Sequence, residues 1–178
     1  MEILFNAQVY GFDQNNQDHT ALVIDQGRIS VSLQPIHATL DRYATEKYWG
    51  ERAALAYAWH AQLNAGAALV FGSDAPIEAP NPFCGFYSAV TRRRSDGNPA
   101  VAGWHPEQCL TMAEALQAST TGAAYVAGRE NELVTLTPGY FADLIVLDED
   151  PFHCPPENLL IMESTGTMIN GEWVWQKK

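Results

Sequence analysis

Short apolar runs separated by polar turns make up the first part of the chain. Residues 2–11 (E-I-L-F-N-A-Q-V-Y-G) and 20–25 (T-A-L-V-I-D) combine branched and aromatic side chains, which is typical of β-strands. The polar run between them is typical of a hairpin or meander. A further strand is predicted over residues 30–36, and Pro35 stops it because proline has no N–H to donate within a sheet. The N-terminal part of the chain is therefore predicted to be β-sheet.

A helical pattern follows. From about residue 45 to residue 64, apolar side chains recur four apart at Leu55, Trp59 and Leu63, which predicts one amphipathic helix. Residues 67–71 (A-A-L-V-F) are then apolar without interruption, as is typical of a parallel strand covered on both faces. Strand, helix and strand in this order predict a βαβ unit, the building block of α/β folds.

The remaining pattern predicts one more helix and a second β-rich region. Residues 72–105 contain four prolines and are predicted to be a long irregular loop. Thr111 and Glu114 have the spacing of a capping box, so a helix is predicted from there to about residue 127. The last third is predicted to be strands that end in a hairpin with Asn170 and Gly171 at its tip. The predicted strand segments are residues 133–136, 142–148, 157–162 and 167–175.

Composition and charge narrow the range of functions. With 178 residues, 47% of them hydrophobic and 17% charged, the chain fits one folded domain or two small lobes that share a core. Its 21 acidic and 10 basic residues give a net charge of -11, which disfavours nucleic acid and anionic membranes as partners. The three cysteines are widely spaced, and no apolar stretch approaches the roughly 20 residues of a membrane span. These features predict an unprocessed, soluble, cytoplasmic protein.

Asp74 and His37 are the main candidates for chemistry. Asp74 lies in V-F-G-S-D-A-P, directly after the predicted strand 67–71. In parallel α/β folds, ligands and catalytic groups gather at the carboxyl ends of strands. The alternative is a turn or helix-cap aspartate, a common role for this residue type. His37 follows the predicted strand 30–36 and would point into the same region if the two strands are neighbours; the alternative is an ordinary packed histidine.

Other polar groups give weaker signals. The remaining histidines do not form an H-x-H or H-E-x-x-H motif, so spacing alone assembles no complete metal site. The three arginines at 92–94 fit either a clamp for an anionic substrate or a solvated loop, and the solvated loop is the preferred interpretation. Trp104 fits either the core or the wall of a pocket.

Several longer runs share the pattern of one protein family. They are A-L-V-F-G-S-D-A-P, L-T-M-A-E-A-L-Q-A-S-T-T-G-A-A-Y-V-A-G, L-T-P-G-Y-F-A-D-L-I-V-L-D-E-D-P-F and T-M-I-N-G-E-W-V-W. Shorter matches are S-V-S-L-Q-P-I-H-A-T, E-R-A-A-L-A-Y-A-W, I-L-F-N-A-Q-V-Y and A-L-V-I-D-Q-G-R-I. Over nearly its whole length the chain resembles metal-dependent amidohydrolases of the amidohydrolase-3 group, which contains N-substituted formamide deformylase-like enzymes. Most of the likeness is to the C-terminal portion of that group.

The resemblance implies a site as well as a fold. Such enzymes are (β/α)8 barrels that carry one or two divalent metals, usually zinc, held by H-x-H, a lysine or other ligand, further histidines and an aspartate on the eighth strand. Asp74 matches that aspartate, which in the family touches the metal and takes a proton from the attacking water. His37 matches the end of the seventh strand, where the family has a substrate-pocket residue.

The chain differs from the family in length. A family member would continue after residue 29 into a first barrel strand with H-x-H, whereas Ser30 begins what resembles the seventh strand. At about 31 residues for each βα unit, residues 30–132 hold only two or three units. The predicted fold is therefore α/β, with a partial (β/α) TIM-barrel segment at 30–132 and a composite β-sandwich lobe built from 1–29 together with 133–178. Open sheet edges predict a homo-oligomer.

Two functions follow from the resemblance. The first is hydrolysis of a C–N bond in a small, non-peptide amide-type substrate by metal-activated water, with most ligands supplied from elsewhere. The second is a non-catalytic, internally shortened relative that serves as an assembly or binding module. Because one aspartate is a poor zinc site, the isolated chain is predicted to be inactive and its metal binding weak.

Overall fold

The computed structural model describes residues 2–10, 18–25 and 28–178, with side chains from residue 30 onward. The first four described strands form one sheet in the order β1-β2-β3-β4. They are β1 (Glu2–Tyr10), β2 (Asp18–Asp25), β3 (Arg28–Leu33) and β4 (Ala68–Phe71). The β1–β2 and β2–β3 pairs are antiparallel, and β3 and β4 are parallel.

The β3–β4 pair confirms the predicted βαβ unit. Ser30 lies opposite Ala68 and Leu33 opposite Phe71, so the two strands are in register over four residues. Residues that alternate along these strands, Val31 on β3 and Leu69 and Phe71 on β4, are buried in the hydrophobic core. Because both strands run the same way, their carboxyl ends lie side by side.

The prediction of one continuous helix over residues 45–64 is wrong, because this range contains several short helices. The connection between β3 and β4 consists of α1 (Pro35–Leu40), α2 (Arg42–Trp49), a 3-10 helix (Gly50–Leu55) and α3 (Trp59–Asn64). Gly50 and Tyr57 have left-handed φ angles of 57° and 53°, which an α-helix does not accommodate. Pro35 ends the strand as predicted and also begins α1, where its missing N–H has no helical partner to lose.

The predicted irregular loop at 72–105 contains a helix, α4 (Pro82–Thr91). The side chain of Asn81 accepts a hydrogen bond from the backbone N–H of Phe83 and so caps the helix, and Pro82 occupies the first turn. Helix α4 buries Phe83 and Phe86 in the core. A 3-10 helix at Pro106–Gln108 follows the loop.

The capping box at Thr111 and Glu114 is confirmed. The Thr111 hydroxyl accepts from the Glu114 N–H, and the Glu114 carboxylate accepts from the Thr111 N–H, at the start of α5 (Met112–Ser119). The predicted continuous helix is interrupted at Thr120, whose ψ of -87° is not helical, and continues as α6 (Thr121–Val126).

The C-terminal third forms a second, antiparallel sheet of β5 (Leu144–Leu147), β6 (Ser164–Ile169) and β7 (Glu172–Gln176). The predicted hairpin is confirmed: β6 and β7 are joined by Asn170 and Gly171, both with left-handed φ angles. The predicted strands at 133–136 and 157–162 are wrong. The first is irregular, and the second lies largely in a 3-10 helix, Pro156–Ile161, that buries Leu159.

The two sheets are separate in their hydrogen bonding, because β1 and β2 extend the sheet of β3 while β5–β7 pair among themselves. The 3-10 helix Pro156–Ile161 packs against α4, and an ion pair of 2.7 Å joins Arg93 to Glu157 beside it. The predicted division into a composite lobe and a barrel segment stays a prediction. In the part of the chain that the structure describes, no helix has the length and apolar character needed to cross a bilayer.

Candidate functional site

Asp74 lies just beyond the carboxyl end of β4. The Gly72 N–H donates to the Leu33 carbonyl oxygen at 3.1 Å, which carries the parallel pairing one residue past the strand. The chain then turns, with Asp74 at a left-handed φ of 57° and its carbonyl oxygen accepting from the Ile77 N–H at 2.8 Å. The turn is closed by the backbone of Asp74, so its carboxylate, with the side chain 51% exposed, faces outward from the strand end.

His37 is brought to the same place by the parallel pairing of β3 and β4. It lies in the first turn of α1, directly after β3, and its Nε2 is 3.9 Å from Asp74 Oδ2. The sequence predicted this proximity on the condition that the two strands are neighbours, and they are. The Nε2 atom is buried and has no hydrogen-bond partner among the described residues. The imidazole therefore presents an unsatisfied polar atom beside the exposed carboxylate.

Glu78 is a third member of this cluster that sequence reasoning missed. Its Oε1 lies 4.0 Å from His37 Nε2, and its side chain is only 19% exposed. The available signal was its position four residues after Asp74 in the same loop. Both carboxylates stand beyond direct hydrogen-bond reach of the imidazole, so neither of them satisfies the Nε2 atom. We call His37, Asp74 and Glu78 the strand-end cluster.

The strand-end cluster contains ligand types that divalent metals accept, imidazole nitrogen and carboxylate oxygen. However, no group of three or more histidine, cysteine or acidic residues in the described part of the chain is arranged to hold a metal ion. The described residues therefore do not form a complete metal site by themselves. The three cysteines, Cys84, Cys109 and Cys154, are free, and burial raises the pKa of each thiol.

A small cavity of about 170 Å³ adjoins the cluster. Two of its wall residues, Ile36 and Ser73, directly precede His37 and Asp74 in the chain. Most of the other lining side chains are apolar; they include Pro35, Phe71, Pro80, Pro82 and Phe86. The cavity fits a small apolar group next to the polar cluster.

The prediction that Arg92 belongs to a solvated loop, or to an anion clamp, is wrong. Arg92 is 0% exposed. Its Nε donates to the Trp104 carbonyl oxygen and its Nη1 to the Tyr57 carbonyl oxygen, both at 2.8 Å. The guanidinium carbon lies 4.4 Å from the ring centroid of Trp59 and 5.0 Å from that of Trp104. Burial lowers the pKa of Arg92 to about 10.

Arg92 is buried because of the conformation in which α4 ends. Arg92 is its C-cap residue and adopts a left-handed conformation, which reverses the chain and turns its side chain inward. Trp104 is buried against it, so Trp104 is a core residue rather than the wall of a pocket. Arg93 and Arg94 point elsewhere and lie 2.7 Å from Glu157 and 3.7 Å from Asp96.

Comparison with known proteins shows which family and which individual proteins the chain is similar to. A family model described as "Amidohydrolase family", of the amidohydrolase-3 group, matches residues 22–175. "Putative amidohydrolase YtcJ" of Bacillus subtilis is 33% identical over 150 residues, which cover 84% of this chain and 28% of that protein. N-substituted formamide deformylase of Arthrobacter pascens is 31% identical over 109 residues, which cover 61% of this chain and 19% of the enzyme.

A solved structure of a hydrolase is also similar to this chain. The crystal structure of an uncharacterized metal-dependent hydrolase from Pyrococcus horikoshii matches with a TM-score of 0.64 and 29% identity, over 78% of this chain and 29% of that one. The chain thus spans between about a fifth and three tenths of the length of these relatives. Since the family model covers most of the chain, the resemblance seen in the sequence is confirmed, and the protein belongs to the amidohydrolase family.

Proposed function

We propose that this chain forms part of a hydrolase that cleaves a C–N bond of a small, non-peptide amide-type substrate. The observation that carries the proposal is the strand-end cluster, in which a buried, unpartnered His37 Nε2 lies 3.9 Å from the exposed Asp74 carboxylate. Family membership supports the reaction type. An N-substituted formamide deformylase among the relatives supports a substrate with a substituted amide nitrogen.

Asp74 is the proposed general base. Its carboxylate takes a proton from the attacking water as the water oxygen bonds to the substrate carbonyl carbon. When the C–N bond breaks, the same proton passes to the leaving nitrogen, so Asp74 returns to its starting state. The exposure of the side chain and its position at the strand end support this role.

His37 is the proposed substrate-binding residue. Its Nε2 lacks a partner among the described side chains, and a buried polar atom of this kind is stabilised when a ligand supplies the missing hydrogen bond. A substrate amide carries both a hydrogen-bond donor and an acceptor, so it has the polar groups that the imidazole lacks. The apolar cavity beside Ile36 and Ser73 has room for a small substituent of that substrate.

A divalent metal is expected for the family, and a solved relative is described as metal-dependent. The described residues do not complete a site for it. We therefore propose Asp74 as one ligand, with the other ligands contributed by polypeptide outside the described residues and zinc as the expected ion.

The finer architecture is also a proposal. The parallel β3–β4 pair with its helical connection supports residues 30–132 as a partial (β/α)-barrel, and the sheet of β5–β7 supports the part that residues 133–178 contribute to the composite β lobe predicted from 1–29 together with 133–178. We further propose a homo-oligomer in which β4 pairs with a second copy, because among the described strands β4 has a neighbour on one side only. Light scattering after size exclusion tests this, and a stable monomer would count against it.

Metal analysis and an amine-release assay test the function. Purified protein is supplied with zinc and assayed on N-substituted formamides and acetamides, and Asp74→Asn is compared with Asp148→Asn, an exposed acid beyond β5. We expect Asp74→Asn to lower turnover by at least about 100-fold, the usual effect of losing a general base, and Asp148→Asn to leave it unchanged. Because the remaining metal ligands are proposed to come from other polypeptide, the assay is run both on the isolated chain and on the chain purified with its natural partners. If neither preparation binds metal or hydrolyses these amides, the catalytic proposal is overturned and an assembly or binding module is favoured.

A further inference from the structure

A second cavity has His37 in its wall. It is a cleft of about 570 Å³ bounded by the end of β3, α1, α2 and the 3-10 helix Gly50–Leu55. Its walls include His37, Asp41, Trp49 and Tyr57. The volume lies in the range of small-molecule sites. We call it the α1–α2 cleft.

Asp41 is the acidic group of the cleft, and it is held in place. Its Oδ2 accepts a hydrogen bond of 2.5 Å from the Tyr57 hydroxyl. Tyr57 has a left-handed backbone, and its carbonyl oxygen is bound by the buried guanidinium of Arg92 at 2.8 Å. The Tyr57 phenol, with an ordinary pKa of about 10, is a hydrogen-bond donor at neutral pH, and burial raises that pKa further. The carboxylate is thus oriented before any ligand arrives.

The remaining walls select a chemical class of ligand. Among the described residues that line the cleft are the aromatic side chains of Tyr48, Trp49 and Tyr57, and none of these described lining residues is a lysine or arginine. The Lys47 ammonium lies 4.9 Å from the Tyr48 ring centroid, whereas Trp49, which is 41% exposed, and Tyr57 line the cleft with aromatic surface. Aromatic faces and a carboxylate both attract a cation.

We propose that the α1–α2 cleft binds an ammonium group carried on a short aryl-alkyl chain, with Asp41 as the ion partner and Trp49 and Tyr57 against the apolar part. His37 lines the same cleft and lies 3.9 Å from Asp74, so the bound amine lies next to the strand-end cluster. That this amine is the nitrogen side of the cleaved substrate rests on the proposed function; its binding does not.

Three probes of similar size test the charge preference. NMR titrations at pH 7 compare 2-phenylethylammonium, 2-phenylethanol and 3-phenylpropanoate. A charge-assisted hydrogen bond is expected to make the ammonium bind at least about ten-fold more tightly than the alcohol, and the carboxylate is expected to bind most weakly. Equal affinities for the three probes in the wild-type protein would overturn the proposal without recourse to any variant.

Single substitutions test which residues cause the preference for the ammonium probe. Asp41→Asn is expected to abolish the preference for the ammonium, and Tyr57→Phe, which removes only the hydroxyl that orients Asp41, to weaken it several-fold. Glu51→Gln, an exposed acid that is not part of the cleft wall, is the matched control and is expected to change nothing. Retention of the full preference in a folded Asp41→Asn protein would refute the assignment. If that variant does not fold by circular dichroism, the Tyr57→Phe result and the wild-type probes decide.

Asp74→Asn separates this inference from the proposed function. It is expected to bind the ammonium as the wild type does while losing amide hydrolysis. Asp41-dependent ammonium binding in a protein that never hydrolyses an amide would leave the cleft standing and reject the proposed reaction. Amide hydrolysis in a protein that shows no preference for the ammonium probe would support the proposed reaction and reject the ammonium site in the cleft.

Discussion

Replacing Arg92 with methionine is expected to lower the free energy of unfolding by about 3 kcal/mol. Methionine keeps an unbranched side chain between Trp59 and Trp104 but removes the guanidinium. The carbonyl oxygens of Tyr57 and Trp104 then lose the donors that satisfy them. Buried carbonyl groups without partners are the source of the expected instability.

The expected loss of about 3 kcal/mol follows from two stabilising contributions and one cost. Two hydrogen bonds from a charged donor contribute roughly 1.5–3 kcal/mol each, and cation–π contact with a desolvated indole ring adds about 1–2 kcal/mol. Against these, the burial that lowers the pKa of Arg92 to about 10 costs about 3 kcal/mol at neutral pH. The hydrogen bonds and ring contacts exceed this cost by about 3 kcal/mol, so Arg92 is a net stabilising residue.

Urea unfolding followed by both tryptophan fluorescence and far-ultraviolet circular dichroism measures this change, and coincident curves confirm two-state behaviour. Arg94→Met is the matched control, because Arg94 is 39% exposed and only 3.7 Å from Asp96 in a surface ion pair. We expect it to change the free energy of unfolding by less than about 0.5 kcal/mol. If Arg92→Met were as stable as Arg94→Met, the reasoning about the buried guanidinium would be wrong.

Three further changes have defined outcomes. Gly103→Ala is expected to destabilise the protein by about 3 kcal/mol in urea unfolding, because its Cβ would lie 2.0 Å from the Thr91 carbonyl oxygen. Gly97→Ala, with a similar φ but open space around it, is expected to lose only about 1 kcal/mol, and an equal loss in both variants would contradict the steric argument. Thr111→Ala removes the N-cap of α5 and is expected to cost about 1 kcal/mol, whereas unchanged stability would show that the capping box contributes nothing. Because burial raises the pKa of Tyr57, the folded state keeps a proton that the unfolded state loses above about pH 10. The wild type should therefore lose stability relative to Tyr57→Phe as the pH rises through that value in parallel thermal melts, and parallel pH curves would exclude this ionisation.

Local features of the fold could be predicted because they depend on neighbouring residues. The capping box of Thr111 and Glu114 closes within one helical turn, and the hairpin tip at Asn170-Gly171 needs only two residues that tolerate left-handed backbone. The breaks in the helical connection could not be predicted in this way. Tyr57 is held left-handed by contact with Arg92, which lies 35 residues further along the chain.

The residues of the candidate site likewise fall into two groups, those that the sequence indicated and those that only the structure revealed. Asp74 was identified from its position after an apolar strand, and His37 from its position after another. Glu78 was missed because its relevance is a distance to an imidazole on a different element. Arg92 was misassigned because three consecutive arginines usually indicate a solvated surface, and only its left-handed C-cap conformation turns it into the core.

The sequence by itself determined the family, the βαβ unit and the acid at the strand end, since each of these is written in a continuous run of residues. The tertiary structure decided which side chains meet. It brought Asp74 and Glu78 to within 3.9 and 4.0 Å of His37 Nε2. It also buried Arg92 beside two indole rings and oriented Asp41 through Tyr57. These contacts join segments that are far apart in the chain, and their energies depend on burial and geometry that no local pattern contains.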